Sequence, residues 1–102
     1  MGLGAVRKGD WNMGHGPYMP TKASSCSGNV RINGKGAVRK GDAFKQHKLG
    51  KKKHTDFPVT GSATVRINGK PAARKLDAIS DPTRLKCSSI IITASRNVKV
   101  GP

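Results

Sequence analysis

Five side chains of this sequence could bind a transition metal, namely His15, His47, His54, Cys26 and Cys87. Zinc favours four nitrogen or sulfur ligands in a tetrahedron. A closed set of four is structural, because it leaves no coordination position for an activated water. The spacing of these residues matches no zinc-finger pattern. Taken alone, it favours solvated loop residues over metal ligands.

The elements that would position these residues come from internal repetition. Residues 4–10, Gly-Ala-Val-Arg-Lys-Gly-Asp, recur identically at 36–42, and residues 71–77 form a divergent third copy. A second string, Val-Arg-Ile-Asn-Gly-Lys, occupies residues 30–35 and recurs at 65–70. Repetition of this kind predicts a domain built from similar structural units.

Each unit has the pattern of a β-hairpin. Val30 and Ile32 flank a charged residue, as in a strand with one buried face. The dipeptide Asn33-Gly34 that follows is a strong signal for a type I′ turn, because both central positions of that turn need positive φ. The same pattern recurs at residues 65–73, and neither copy shows the spacing of an amphipathic helix.

The expected architecture is a single small all-β domain of three β-hairpin repeats. These repeats approximately cover residues 1–29, 30–64 and 65–102. Loops with little periodicity run roughly over residues 11–27, 43–61 and 78–95. Within the last loop, residues 90–93 predict a strand that returns towards the hairpins. A generic β-barrel with an accidental duplication is the alternative.

The candidate ligands lie in these loops. His15 and His47 each follow by five residues the aspartate that ends the repeated string, so they occupy equivalent places in the first two repeats. His54 lies further along the second loop, and Cys87 lies in the third. All four lie at the same end of the hairpins and would converge at one pole if the repeats circle an axis.

Cys26 has a different place from the other candidates. It aligns with Gly61 of the second repeat, just before a predicted strand and away from the loops that carry the histidines. We expect a small free thiol on the wall of the domain. A ligand role in place of Cys87 and a Cys26–Cys87 disulfide are the alternatives, and two cysteines in a cytoplasmic product argue weakly against the disulfide.

The composition limits the classes of protein. Twenty Lys and Arg stand against five acidic residues, a net charge of +15, which favours anionic partners. This charge and the small number of large aliphatic residues lean towards disorder, so a folded domain needs an additional source of stability such as a metal. No segment has the length of a membrane helix or the pattern of a signal peptide. We therefore expect synthesis in the cytoplasm without a leader.

The string Pro71-Ala72-Ala73-Arg74 spells the motif that gives the PAAR-repeat proteins their name. Residues 61–74 around it resemble the repeat pattern of that family, and Gly9-Asp10 followed by His15 resembles its first repeat. The first two copies depart from the motif, because they read Gly-Ala-Val-Arg. The third copy departs in the residues that follow, where Lys-Leu-Asp replaces the usual Gly-Asp ending.

The resemblance implies a cone of three hairpin units with pseudo-three-fold symmetry and a flat base. The base would dock, as a monomer on a trimer, on the blunt end of a trimeric β-helical spike, either VgrG-like or a phage central spike. The apex would carry one structural zinc ion held by His15, His47, His54 and Cys87. Such a protein is no enzyme. It would lie at the tip of a type VI secretion spike or a phage tail spike, puncture the target membrane and contact the target envelope transiently.

Other readings of the same residues lead to different expectations. The lysines of residues 45–53 form a basic loop, either solvated or attracted to an anionic outer leaflet. Trp11, Tyr18, Phe44 and Phe57 lie in the loops, and we expect them to cover a thin core beneath the zinc. A nucleic-acid-binding module would need these aromatic rings exposed together, and we expect no nucleic acid partner. A zinc enzyme would need an open coordination position and a nearby acid or base, and the chain has no glutamate.

Overall fold

The computed structural model describes residues 2–14, 19–49, 52–81 and 84–101. All regular structure in these residues is β, in short strands joined by turns. The strands are β1 (Leu3–Gly4), β2 (Arg31–Ile32), β3 (Lys35–Gly36), β4 (His47–Leu49), β5 (Lys52–His54), β6 (Phe57–Pro58), β7 (Arg66–Ile67), β8 (Lys70–Pro71), β9 (Ala78–Asp81), β10 (Arg84–Ile90) and β11 (Lys99–Val100). No helix in the described part of the chain is long and apolar enough to cross a membrane.

The two hairpins expected at the Asn-Gly dipeptides are present. Strand β2 pairs with β3, and β7 pairs with β8, in the same register. Asn33 and Gly34 have φ of 55° and 79°, and Asn68 and Gly69 have φ of 53° and 80°. Both central residues of each turn thus lie in the left-handed region, as a type I′ turn requires. The third pair has no such turn, since β1 and β11 come from opposite ends of the described sequence.

A closed ring of backbone hydrogen bonds joins the three copies of the repeated string. The Val38 amide donates to the Val6 carbonyl at 3.0 Å, and the Ala73 amide donates to the Val38 carbonyl at 3.0 Å. The Val6 amide closes the cycle by donating to the Ala73 carbonyl at 3.2 Å. We call the contacts between copies seams: the first joins 4–10 to 36–42, the second joins 36–42 to 71–77, and the third joins 71–77 to 4–10.

A cluster of small and β-branched residues lies against this ring, and we call it the lower core. Each of its layers contains three residues that occupy equivalent places in the repeated strings or the strands beside them. The layers are Ala5, Ala37 and Ala72; Ile32, Ile67 and Val100; and the partly buried Val30, Val65 and Val98. Alanines allow the three backbone segments to approach closely, while the branched side chains suit the pleated surface of short strands.

A second closed ring, the upper ring, is built from six short segments of the predicted loops, two from each repeat. Asn12 donates to the Thr21 carbonyl, Ala23 pairs with Phe44, and the Phe44 amide donates to the Asp56 carbonyl. Strand β6 pairs with β9, and β9 pairs with β10. Ile91 then pairs with Asn12, which closes the ring. Each segment turns one buried residue inwards: Asn12, Ala23, Phe44, Pro58, Ile79 and Ile91.

The loops are therefore more regular than the sequence indicated. The second loop contains the hairpin β4–β5, and the third contains the hairpin β9–β10. The strand expected at residues 90–93 lies earlier in the chain, because β10 ends at Ile90 and only the isolated bridge between Ile91 and Asn12 follows it. Of the loop aromatics, Phe44 is buried in the core, whereas Trp11 is 39% exposed.

Candidate functional site

The hairpin β4–β5 brings two of the predicted zinc ligands to one level. Strand β4 begins at His47 and β5 ends at His54, and the register pairs these two residues directly across the antiparallel ladder. Directly opposed residues of such a ladder lie side by side on neighbouring strands. Two histidines that are separated along the sequence thus occupy neighbouring positions at the base of one hairpin.

Cys87 lies in β10, where the pairing with β9 is interrupted. Arg84 pairs with Asp81 and Ser88 pairs with Ser80, so the residues between Arg84 and Ser88 form a bulge opposite adjacent residues of β9. His15 lies outside the described residues. Across residues 2–14, 19–49, 52–81 and 84–101, no group of three or more metal-ligating side chains is found. The four-residue zinc site therefore stays a prediction.

The interior of the molecule becomes polar near these hairpins. Asp56, which follows His54 by two residues, is fully buried, and Ser80 is 6% exposed. The Ser89 Oγ atom, two residues after Cys87, is buried and has no hydrogen-bond partner among the described residues. A buried hydroxyl of this kind calls for a polar neighbour, because burial without a partner costs free energy.

An arginine–aspartate clip closes the turn at the end of each repeated string. In the second copy, Asp42 accepts from the backbone amide of Arg39 at 2.9 Å, from Nε at 2.8 Å and from Nη2 at 3.0 Å. The clips Arg7–Asp10 and Arg74–Asp77 have the same three bonds. The aspartate side chains are only 4–6% exposed, and the arginine neutralises each of them. This gives the invariable Arg of the three copies a structural role.

The clips also change the acid–base behaviour of the arginines. The side-chain hydrogen bond to Asp42 raises the pKa of Arg39, desolvation by burial opposes this, and the charge of Asp42 raises it further. The Arg7 and Arg74 pKa values are raised by Asp10 and Asp77 in the same way. A cation with a raised pKa stabilises the fold below its unfolded pKa and loses that contribution only at higher pH. Since an arginine pKa lies far above neutrality, the clips keep their arginine charge throughout the ordinary pH range.

Two clips also hold the hairpin turn of the next repeat. Arg7 Nη1 donates to Asn33 Oδ1 at 3.1 Å, and Arg39 Nη1 donates to Asn68 Oδ1 at 3.2 Å. These clips and links were not predicted from the sequence. The signal was present, because every copy has Arg-x-x-Asp at the same place and each Asn belongs to an Asn-Gly turn.

The departures from the Pro-Ala-Ala-Arg motif are matched by the residue opposite. A Cβ atom added to Gly36 would meet the Cys26 Sγ atom first, and one added to Gly4 would lie 2.5 Å from the Ser95 carbonyl oxygen and 3.0 Å from the Ala94 Cβ atom. In the second seam the large and small residues are exchanged: the motif position holds Pro71, and the residue opposite is Gly61. Cys26 carries a free thiol and is partly buried against the core, in agreement with the predicted wall position.

Among the aromatic side chains that the structure describes, Trp11 is exposed and Phe44 is buried. The Lys22 Nζ atom lies over the Trp11 ring, 5.0 Å from its centroid. Because Phe44 is buried in the core, it cannot join Trp11 in a stacking platform for nucleic acid bases. Tyr18 lies outside the described residues.

Comparison with known families agrees with the resemblance. A family model described as PAAR motif matches residues 13–85. The chain belongs to the PAAR family, whose members are structural proteins associated with the spikes of secretion systems and related contractile machines. No curated protein matches the chain.

Proposed function

We propose that this protein caps the tip of a trimeric β-helical spike and sharpens it for piercing a target envelope. The observation that carries this proposal is the closed ring of hydrogen bonds through Val6, Val38 and Ala73. Equivalent residues of three repeats meet around it, which supports a pseudo-three-fold axis. A monomer with such an axis can present similar contacts to all three subunits of a trimer.

The outline of the molecule supports an axial body. The Cα extents are 38 × 23 × 23 Å, one long direction and two equal short ones. We assign the lower core with its Asn-Gly turns to one end of this body, and the hairpins β4–β5 and β9–β10 to the other end. In this proposal the lower core supports a flat base, and the upper hairpins form the apex of a cone.

The donor set of the upper loops fits a structural zinc. His15, His47, His54 and Cys87 supply three imidazoles and one thiolate, the type of set found in closed tetrahedral sites. The direct pairing of His47 with His54 supports joint ligation. When bound, such a zinc contributes stability on the order of 10–16 kcal/mol in small modules. The ion would join the three loops at one point.

The zinc proposal is tested by metal content. We expect mass spectrometry to find one zinc per chain in the purified protein. The His54→Ala and Cys87→Ser variants should lose the metal and melt at lower temperature, because a closed site cannot spare a ligand. Cys26→Ser is the matched control and should retain the zinc. A well-folded wild-type chain without metal would contradict the site.

The capping proposal is tested by association with a purified trimeric β-helical spike in size-exclusion chromatography. We expect one chain per spike trimer. The exposed Lys35 and Lys70 flank the two Asn-Gly turns, and their joint replacement by glutamate should weaken the complex while zinc content stays unchanged. A charge-matched control replaces Lys8 and Lys40, which lie in the clip turns. Stoichiometric binding of three chains per trimer would count against the single cap.

A further inference from the structure

The third seam contains a cavity that the other functions of the molecule do not use. Its volume is about 330 Å³, and its wall is formed by Gly4, Lys75, Lys99 and residues 92–96. This volume is within the range of small-ligand sites, about 300–1,000 Å³. Three cationic side chains, those of Lys75, Arg96 and Lys99, line the cavity, and no carboxylate does.

These three cations have no carboxylate partner in the part of the chain that the structure describes. The ion pairs found there are the three arginine–aspartate clips. The other polar side chains of the cavity wall are already engaged. Thr93 Oγ1 donates to Asp10 and accepts from the Trp11 amide. Ser95 Oγ accepts from the Asn97 and Val98 amides. A ligand would therefore meet the cations, whose positive potentials add within one concavity.

Comparison of the three seams shows which cation is particular to this cavity. Lys75 corresponds to Lys8 and Lys40 of the other copies, as their equivalent hydrogen bonds to Gly4, Gly36 and Pro71 indicate. Lys99 likewise corresponds to Arg31 and Arg66, next to the buried residue of each hairpin. Arg96, however, follows Ser95 where Gly28 follows Ser27 and Ala63 follows Ser62. Only the third seam has an arginine at this position.

We propose that this cavity is a binding site for phosphate groups carrying two or more negative charges. A guanidinium presents a planar fork that matches two oxygens of a phosphate, and the two ammonium groups add point charges beside it. The volume exceeds that of one phosphate, so a diphosphate or a phosphorylated head group fits the class. None of the residues that line this cavity is a candidate zinc ligand.

The test is a calorimetric titration of the full chain with inorganic pyrophosphate at about 0.15 M salt, where weak surface attraction is screened. We expect saturable binding of one pyrophosphate per chain. Arg96→Ala, which introduces the residue found at equivalent position 63, should weaken it about tenfold or more. Lys40→Ala removes the same charge from a seam without Arg96 and should leave the affinity unchanged.

The source of the phosphate is separated by two further probes. Vesicles containing phosphatidic acid, compared with phosphatidylcholine alone, test a lipid head group, and acetate tests whether a single negative charge suffices. Binding to the acidic vesicles that depends on Arg96 would assign a lipid, and binding to pyrophosphate alone would assign a soluble phosphate. Equal losses in Arg96→Ala and Lys40→Ala, equal affinity for acetate, or binding without saturation would overturn the site.

Discussion

Cys26 and Gly36 illustrate how a repeat sequence can drift while its structure is kept. The Cys26 side chain fills the space over Gly36, whereas in the second seam Gly61 leaves that space to Pro71. The two substitutions are complementary in volume, and a core tolerates changes that conserve total volume. Gly36, which departs from the Pro-Ala-Ala-Arg motif, is thus compensated in volume by Cys26, ten residues earlier.

This pairing predicts non-additive effects on stability. Gly36→Ala places a methyl group against the Cys26 Sγ atom, and we expect it to lower the free energy of unfolding by about 1–3 kcal/mol. Adding Cys26→Gly should recover most of that loss. Urea denaturation of the two single variants and the double variant measures the coupling.

The control for this pair is Gly28→Ala, because a Cβ atom at Gly28 would meet nothing within 4 Å. It should change the stability by less than about 0.5 kcal/mol. If Gly36→Ala is equally harmless, or if Cys26→Gly does not relieve it, the proposed packing pair is wrong.

The residues of the candidate metal site could be selected from the sequence only in part. Their types and their places in the loops were readable, and the spacing from the aspartates related His15 to His47. The direct pairing of His47 with His54 was not readable. It depends on the register of a hairpin whose strands, such as Lys52–His54, lack the alternation that normally sets a register.

The turns are the elements that the sequence specified best. An Asn-Gly pair fixes a type I′ turn locally, so β2–β3 and β7–β8 follow from a few residues. The upper ring could not be predicted from the sequence. Each of its segments buries a single residue, such as Asn12 or Pro58, and is held by a neighbour that is distant in the sequence. Period-2 patterning cannot be recognised in segments this short.

One turn is conformationally less favourable than its equivalents. The clip turns contain Gly9 and Gly41 with φ of 93° and 90°, but the third has Leu76 with φ of 75°. A side chain with a Cβ atom is disfavoured in this region by about 1–2 kcal/mol. Leu76 is 54% exposed, so it gains little burial in return.

We therefore expect Leu76→Gly to raise the free energy of unfolding by about 1 kcal/mol. Thermal melts followed by circular dichroism would measure the change. Leu76→Ala is the matched control, because it removes the exposed side chain but keeps the Cβ atom. If alanine stabilises as much as glycine, the positive φ is not the cause.

The composition alone did not indicate that the molecule as a whole has a packed core. The low count of large aliphatic residues suggested disorder, yet Ala5, Ala37 and Ala72 are almost fully buried. Small side chains build a core here because the closed rings of hydrogen bonds bring three segments of the chain close together. The composition cannot show that such rings form. The buried charges of the clips are balanced within each turn.

Closure also predicts which backbone groups open last. The amides of Val6, Val38 and Ala73 lie in the first closed ring, between the lower core and the buried cluster that contains Phe44, Ile79 and Ile91. We expect these three amides to exchange with solvent at nearly equal rates and among the slowest, with protection equal to the global free energy of unfolding. Hydrogen exchange by nuclear magnetic resonance tests this. Markedly faster exchange at one of the three would show that its seam opens separately.

The third seam differs from the other two in how it would bear a mechanical load. Copies one and two, and copies two and three, are connected by the covalent chain that runs through the turns at Asn33 and Asn68. The third seam is closed by the pairing of β1 with β11 and by hydrogen bonds from copy three to copy one. A compressive force along the long axis of the molecule would pull apart the three copies that form the closed ring. Of the three seams, this one has no covalent link between its two copies. We therefore expect separation under force to begin between Leu3 and Val100.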